Sequence, residues 1–280
     1  MINRKIILRL IGGLGNQLFQ LQFAINLKDK IGGNLILDNS FLTNSKKKHE
    51  IIDLGDLIVP YPIKKLNWID LSLRRPLEKI LFKFKISAPN FVNPKFYFEE
   101  SKNNINLMPV IILDGFWQNA KYLNLDFIKE LQKKLAKKYS KSFNQSVVCV
   151  HVRRGDYLTN RNFLIKNQLV LTLDYYLRAF DYFKKNIISP SFEIYTDDET
   201  WAKDTFVKTN DIQVISSKHL RPFELLAKMA SYQNYIIANS SLSWWAAVLS
   251  SSVNKKVILP KKWGKNLDSH KYKLSDWIDL

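Results

Sequence analysis

Ser146–Tyr157 reads SVVCVHVRRGDY. Its run of Val147, Val148, Val150 and Val152 is what a strand buried on both faces of a parallel sheet requires. The run then stops at His151, Arg153, Arg154, Gly155 and Asp156, which puts unlike charges at the carboxyl end of that strand. Downstream the same grammar repeats: DYYLRAFDYFKK reads as helix, FEIYTDD as strand, TWAKDTFVK as helix and IQVIS as strand. FELLAKMAS (helix), YIIAN (strand), LSWWAAVLS (helix) and KVILP (strand) follow. Strands of four to six apolar residues alternating with helices predict an α/β domain with helices on both faces of a parallel sheet.

Upstream, KIILRLIG (5–12) reads as a strand and GGLGNQ as a tight turn. A largely buried helix is expected from Asn16 to Lys30, and NLILD (34–38) reads as a second strand, which completes a βαβ unit. VIILDGFWQ (110–118) is a further strand, and Leu123 to Tyr139 an amphipathic, lysine-rich helix. The span 40–105, with prolines at 60, 62, 76, 89 and 94, reads as short helices and loops. The polar YSKSFNQS (139–146) is the linker candidate. Two successive α/β domains are expected, 1–140 and 141–280, a size typical of single cores.

The totals bound the class. Hydrophobic content of 46% and charged content of 24% are those of a folded globular chain. A single cysteine, Cys149, leaves no intrachain disulfide and suits a reducing compartment. The apolar part of MINRKIILRLIGG is too short for a signal peptide and is interrupted by Arg9. No run approaches the roughly 18 apolar residues of a membrane helix. A soluble, cytoplasmic protein is the expectation. The 43 lysines and arginines outnumber the 25 acidic residues, a net charge of +18 that favours anionic partners. These lysines are scattered in pairs and triples (46–48, 133–134, 137–138, 255–256, 261–262), as on solvated faces.

In open parallel sheets ligands bind beyond the carboxyl ends of the strands. HVRRGDY, YTDD and ANSSLSWW all occupy such ends. An arginine pair there can grip a phosphate bidentately at any working pH; the plainer reading is a pair bonded to Asp156 and to backbone carbonyls. His151 reads alone as an interior histidine. In YTDDE, Thr196, Asp197 or Asp198 is a helix cap, or a carboxylate that accepts two N–H bonds from a guanine base. ANSSLSWW brings hydroxyls to a strand-to-helix junction. GGLGNQ offers backbone N–H groups at a helix start but has neither the P-loop ending nor the full dinucleotide spacing. No G-x-S-x-G, H-E-x-x-H or C-x-x-C occurs, and four histidines with one cysteine do not make a zinc site. Aromatics do not interleave the basic runs as in an RNA-binding signature.

Taken together and in order, IGGLGNQLFQ, HVRRGDY and ANSSLSWWA resemble the bacterial α-1,2-fucosyltransferases, glycosyltransferase family 11. The H-x-R-R-x-D pattern also resembles the wider group that includes α-1,6- and protein O-fucosyltransferases. The resemblance spans about residues 5 to 260. It implies a GT-B fold, two Rossmann-like domains facing across a cleft, with the N-terminal one on the acceptor side and the C-terminal one holding GDP-β-L-fucose. It further implies inverting transfer to a glycan, at O2 of a terminal galactose, in lipopolysaccharide or O-antigen assembly, with no metal and no other cofactor.

By that resemblance Arg153 would meet the β-phosphate and Arg154 would support the loop or the sugar. His151 and the Thr196–Asp197–Asp198 turn would meet the nucleoside, and Ser241 and Ser243 the phosphate oxygens. Gly13, Gly15, Asn16 and Gln17 would close over the fucose. Asp156 is the one candidate base in the motif, with a structural salt bridge as its other reading, and the base stays unassigned. The basic surface would suit the anionic inner face of a membrane, where lipid-linked glycans are built. The rivals are transfer of another nucleotide-sugar on this fold and a non-catalytic nucleic-acid binder, the latter suggested by charge alone.

Overall fold

The computed structural model describes residues 4–43, 61–64, 91–92, 110–138, 143–159, 170–217 and 219–280. The triple lysine at 46–48, most of the 40–105 span and the first half of the proposed linker lie outside them.

The chain divides into two compact units, 1–118 with 122–124, and 119–121 with 125–280. The first holds a parallel sheet in the order β3-β2-β1-β5-β4, built from β1 (Lys5–Arg9), β2 (Asn34–Asp38), β3 (Ile63–Lys64), β4 (Phe91–Val92) and β5 (Val110–Leu113). α1 (Leu14–Ile31) follows β1, and α2 (Ser40–Thr43) follows β2. Leu18, Phe19, Leu21, Phe23, Ala24 and Leu27 bury α1. Lys28 and Lys30 in its last turn complement the helix dipole. Within the span 40–105 read as helices and loops, the described elements are α2 and two short strands. Register explains β3: Leu37 and Asp38 face Ile63 and Lys64, so two residues extend the β2 ladder.

The second unit holds a six-stranded parallel sheet in the order β13-β10-β9-β6-β7-β8. Its strands are β6 (Val147–Val152), β7 (Ser191–Thr196), β8 (Ile212–Ile215), β9 (Asn234–Ile236), β10 (Lys256–Leu259) and β13 (Ile278–Asp279). A small hairpin, β11 (Lys262–Gly264) with β12 (Leu267–Asp268), precedes β13. The helices are α3 (Leu125–Lys138), α4 (Gly155–Thr159), α5 (Leu173–Asn186), α6 (Glu199–Phe206), α7 (Pro222–Met229) and α8 (Ser241–Leu249). Val148, Val150, Val152, Tyr176, Phe180, Phe183, Phe192, Ile194, Ile236 and Ile258 form one core across the strands and α5.

The division falls ahead of α3, earlier than the boundary at 140 expected from the polar stretch. The reason is packing. α3 belongs with the second unit because its apolar side meets α8, where Phe127 and Trp245 rings pack edge to face with centroids 6.2 Å apart. Among the described residues no helix is long and apolar enough to cross a membrane.

Candidate functional site

In the second sheet the chain leaves β6 toward β7 and β8, then returns on its other side as β9. β6 and β9 therefore flank the point where strand order reverses, the position at which open α/β sheets leave a ligand crevice. HVRRGDY emerges from the first of these strands and ANSSLSWW from the second.

Arg153 and Arg154 do not point idly into solvent. Arg153 Nη1 lies 2.9 Å from Asp197 Oδ2, with the two side chains 33% and 24% exposed. The other oxygen of that carboxylate accepts the backbone N–H of Arg154 at 2.8 Å. Gly155 makes this approach feasible, since a Cβ there would sit 3.0 Å from Asp197 Oδ2. Arg154 is held differently. Its guanidinium lies 3.7 Å from the Trp201 ring centre and 3.5 Å from Asp198 Oδ2. Asp198 also caps α6, accepting Trp201 N–H at 3.2 Å, while its own N–H donates to Thr196 Oγ1 at 3.0 Å. The capping reading of YTDDE thus falls on Asp198, and the carboxylate partners of the arginines come from the end of β7. The side chain of Asp156 lies outside the described residues.

His151 is buried, 5% exposed, and its Nδ1 has no hydrogen-bond partner among the described residues. Burial first, then the nearby Arg153 charge, lowers its pKa from the usual 6.5 to about 4, against an opposing pull from Asp197. The imidazole is therefore neutral at neutral pH. A folded pKa below the unfolded one makes this contribution complete above pH 6.5. It is lost as pH falls from 6.5 to about 4, by roughly 3 kcal/mol in all. Denaturant melts at pH 7 and pH 4.5 should show His151→Gln losing less stability between the two than wild type. Equal losses would refute the assignment.

The β9 end is braced by residues that motif reading passed over. The Tyr157 hydroxyl donates to the Asn239 carbonyl at 3.0 Å, and its ring lies 5.6 Å from the Arg153 guanidinium. Asn239 Nδ2 donates to Trp263 O at 3.1 Å, and Trp263 stacks on Tyr272 at 4.1 Å. Ser243 is fully buried and its hydroxyl turns back to the carbonyls of Ser240 and Ala238, at 3.2 and 3.5 Å. Ser241 is half-buried in the first turn of α8, which has no side-chain cap. A helix N-terminus at a strand end suits an anion. Tyr157 and Asn239 stand inside the quoted motifs and Trp201 in a helix, but nothing local singles them out; the partner of each lies far along the chain.

In the first unit, β1 and β5 flank the equivalent reversal. Gly12, at φ +77°, turns the chain after β1, and Gly13 opens α1. Gln17 is buried, its Nε2 donating to Gly12 O at 2.9 Å. Gly15 is buried in the first turn, and Asn16 Oδ1 accepts from Gln118 Nε2 at 2.6 Å. Gln20 clasps the backbone of Ile11 through its N–H at 3.2 Å and its carbonyl at 3.0 Å, pinning the turn. Among the described residues no group of three or more His, Cys, Asp or Glu is placed to hold a metal ion.

The family model described as glycosyl transferase family 11 matches residues 5–280. The chain is 28% identical to the O-antigen biosynthesis glycosyltransferase WbnK of Escherichia coli over 97% of this chain and 99% of that protein. It is also 28% identical to an alpha-1,2-colitosyltransferase of Escherichia coli, covering 92% of each. Among solved structures it resembles the fucosyltransferase NodZ from Bradyrhizobium, with TM-score 0.50, 12% identity and coverage of 87% and 92% of the two chains. POFUT1 in complex with GDP-fucose is similar at TM-score 0.51 and 12% identity, over 92% and 99%. FUT1 of Arabidopsis thaliana in complex with GDP is similar at 0.52 and 11%, over 91% and 70%. These likenesses show the fold, which is of the GT-B type expected from the sequence.

Proposed function

Since the chain belongs to glycosyl transferase family 11, we propose that it moves L-fucose from GDP-β-L-fucose to O2 of a terminal galactose in a glycan, with inversion and without a metal. The acceptor hydroxyl oxygen forms the new bond to the anomeric carbon and gives up its proton, to water or to the unassigned base. The bond from that carbon to the β-phosphate oxygen breaks, and GDP leaves with the electron pair. The chemistry needs positive charge where the leaving phosphate gains negative charge.

The observation that supports the reading is the Arg153–Asp197 pair at the end of β6, beside the strand reversal. It is an oriented, partly exposed guanidinium at a sheet position where ligands collect. The start of α8 adds a helix N-terminus beside the other strand of that reversal. The colitosyltransferase relative supports a second sugar, colitose, which differs from fucose by lacking the 3-hydroxyl. A site that hydrogen-bonds this hydroxyl discriminates strongly against the deoxy sugar, by roughly 10⁴ or more, whereas a merely apolar contact there discriminates by about 10².

The test is GDP release by purified protein from GDP-fucose and from GDP-colitose, with a β-galactoside present and EDTA throughout. Galactoside-dependent turnover that survives EDTA is expected, and the ratio of the two kcat/KM values assigns the sugar. No turnover with either donor refutes the proposal, and turnover that EDTA abolishes refutes its metal-free part.

A further inference from the structure

We propose that the first unit carries a hexopyranoside subsite built on Phe116, with Asp114 and the Asn16–Gln118 amide pair as hydroxyl partners. The choice of a galactoside as its occupant rests on the function proposed above, whereas the subsite itself is argued from the loop that follows β5.

That loop leaves the strand beside the β1/β5 reversal, where a ligand crevice is expected in this sheet as in the other. It is held in an unusual conformation. Trp117 has φ +44°, in the left-handed region that bulky side chains avoid. Such strain persists only where the surroundings enforce it, and it concentrates at ligand-binding positions. Here the surroundings are visible. The Trp117 ring stacks on Phe23 of α1, with centroids 4.6 Å apart and planes within 6°. Gln118 donates to Asn16 at 2.6 Å. Asn26 Nδ2 donates to the Tyr122 carbonyl at 2.8 Å, and Asn124 Nδ2 to Asn26 Oδ1 at 2.7 Å. Four attachments to one helix fix the loop and its strained residue.

The product of this bracing is Phe116. It stands 44% exposed while its neighbour Trp117 is 4% exposed. Single exposed aromatics are ordinary on protein surfaces. This one stands directly before a residue in strained backbone, on a cross-braced loop at a strand reversal, where ligands collect. An aromatic face fits the C–H face of a pyranose, as galactose presents through C3, C4 and C5. Around the ring edge a sugar needs groups that both donate and accept, which amides supply, and a fixed carboxylate. Asp114 is such a carboxylate. Its side chain is 15% exposed and is held at 2.8 Å by the fully buried Arg9.

Phe116→Ala is expected to raise the acceptor KM about tenfold, the loss of one strong aromatic contact. Donor KM and the slow release of GDP without acceptor should stay at wild-type values, and Phe116→Tyr should restore acceptor KM. Saturation-transfer NMR with methyl β-D-galactoside reads the same contact without any sugar donor. Wild type and Phe116→Tyr should show transfer to the ring protons, and Phe116→Ala should not. Equal transfer in all three proteins, or none in wild type, overturns the subsite. Ring-proton transfer in a wild type that turns over neither GDP-fucose nor GDP-colitose would leave the subsite standing and remove the proposed reaction instead.

Discussion

Arg153→Ala is expected to lower kcat by about 10² to 10³, the usual cost of one preorganised donor to a developing anion. The residue stands at the end of β6 with its guanidinium oriented by Asp197. Its charge is not replaceable by water, which must reorganise as the phosphate leaves. The fold should survive. Asp197 keeps the Arg154 N–H as a partner and is itself 24% exposed, so its carboxylate is not stranded in a dry interior. Arg153→Lys should recover only part of the loss, because an ammonium keeps the charge but not the planar fork. Single-turnover rates with saturating GDP-fucose, read beside circular dichroism and the melting temperature, make the check. Near-normal turnover in the alanine variant would remove Arg153 from the chemistry.

Asp197→Ala should be next in size, lowering kcat by about 10-fold to 10²-fold through the arginine it orients. The carboxylate holds Arg153 through one oxygen and the Arg154 backbone through the other, and Gly155 leaves it room to do so. Asp197→Asn keeps an acceptor for the Arg154 N–H but loses the ion pair, so it should fall between wild type and alanine. The informative readout is base selectivity, measured as inhibition by GDP against ADP and UDP. If Asp197 orients the arginine, the variants lose rate and keep their preference for GDP. If it reads guanine, the preference collapses, and the orienting role falls with it.

How much of this was legible in the sequence follows from how local each signal is. β6 could be read because four valines and a charged stop lie within a dozen residues, and β7, β8, β9 and β10 because each is a short apolar run between turn residues. α3 was legible as a helix but not as part of the second unit. An amphipathic stripe says that something covers it, not that the cover is Trp245 on α8. β13 and the β11–β12 hairpin are two or three residues per strand, too short for any period to register. Within the candidate site, the arginine pair and the Thr196–Asp198 turn could each be found from the chain, but not that they face one another. Arg154 meets Asp197 and Asp198 across more than forty residues. The same holds for Tyr157 and Asn239, and for the strained backbone at Trp117 beside the exposed Phe116, which no residue pattern announces.

The Tyr157–Asn239 bond, with the pairing of β6 to both β7 and β9, also bears on when the proposed nucleotide site is completed. The residues involved arrive from three stretches separated by intervening helices. Contacts between such distant stretches form late in folding, because closing the long loops costs entropy before any contact offsets it. A collapsed chain in which β9 has not yet docked holds its arginines without the Asn239 carbonyl that braces Tyr157 beside them. On the function proposed here, nucleotide binding would then require the finished second unit. Under the proposed function, a nascent or partly unfolded chain would lack that hold on an activated sugar.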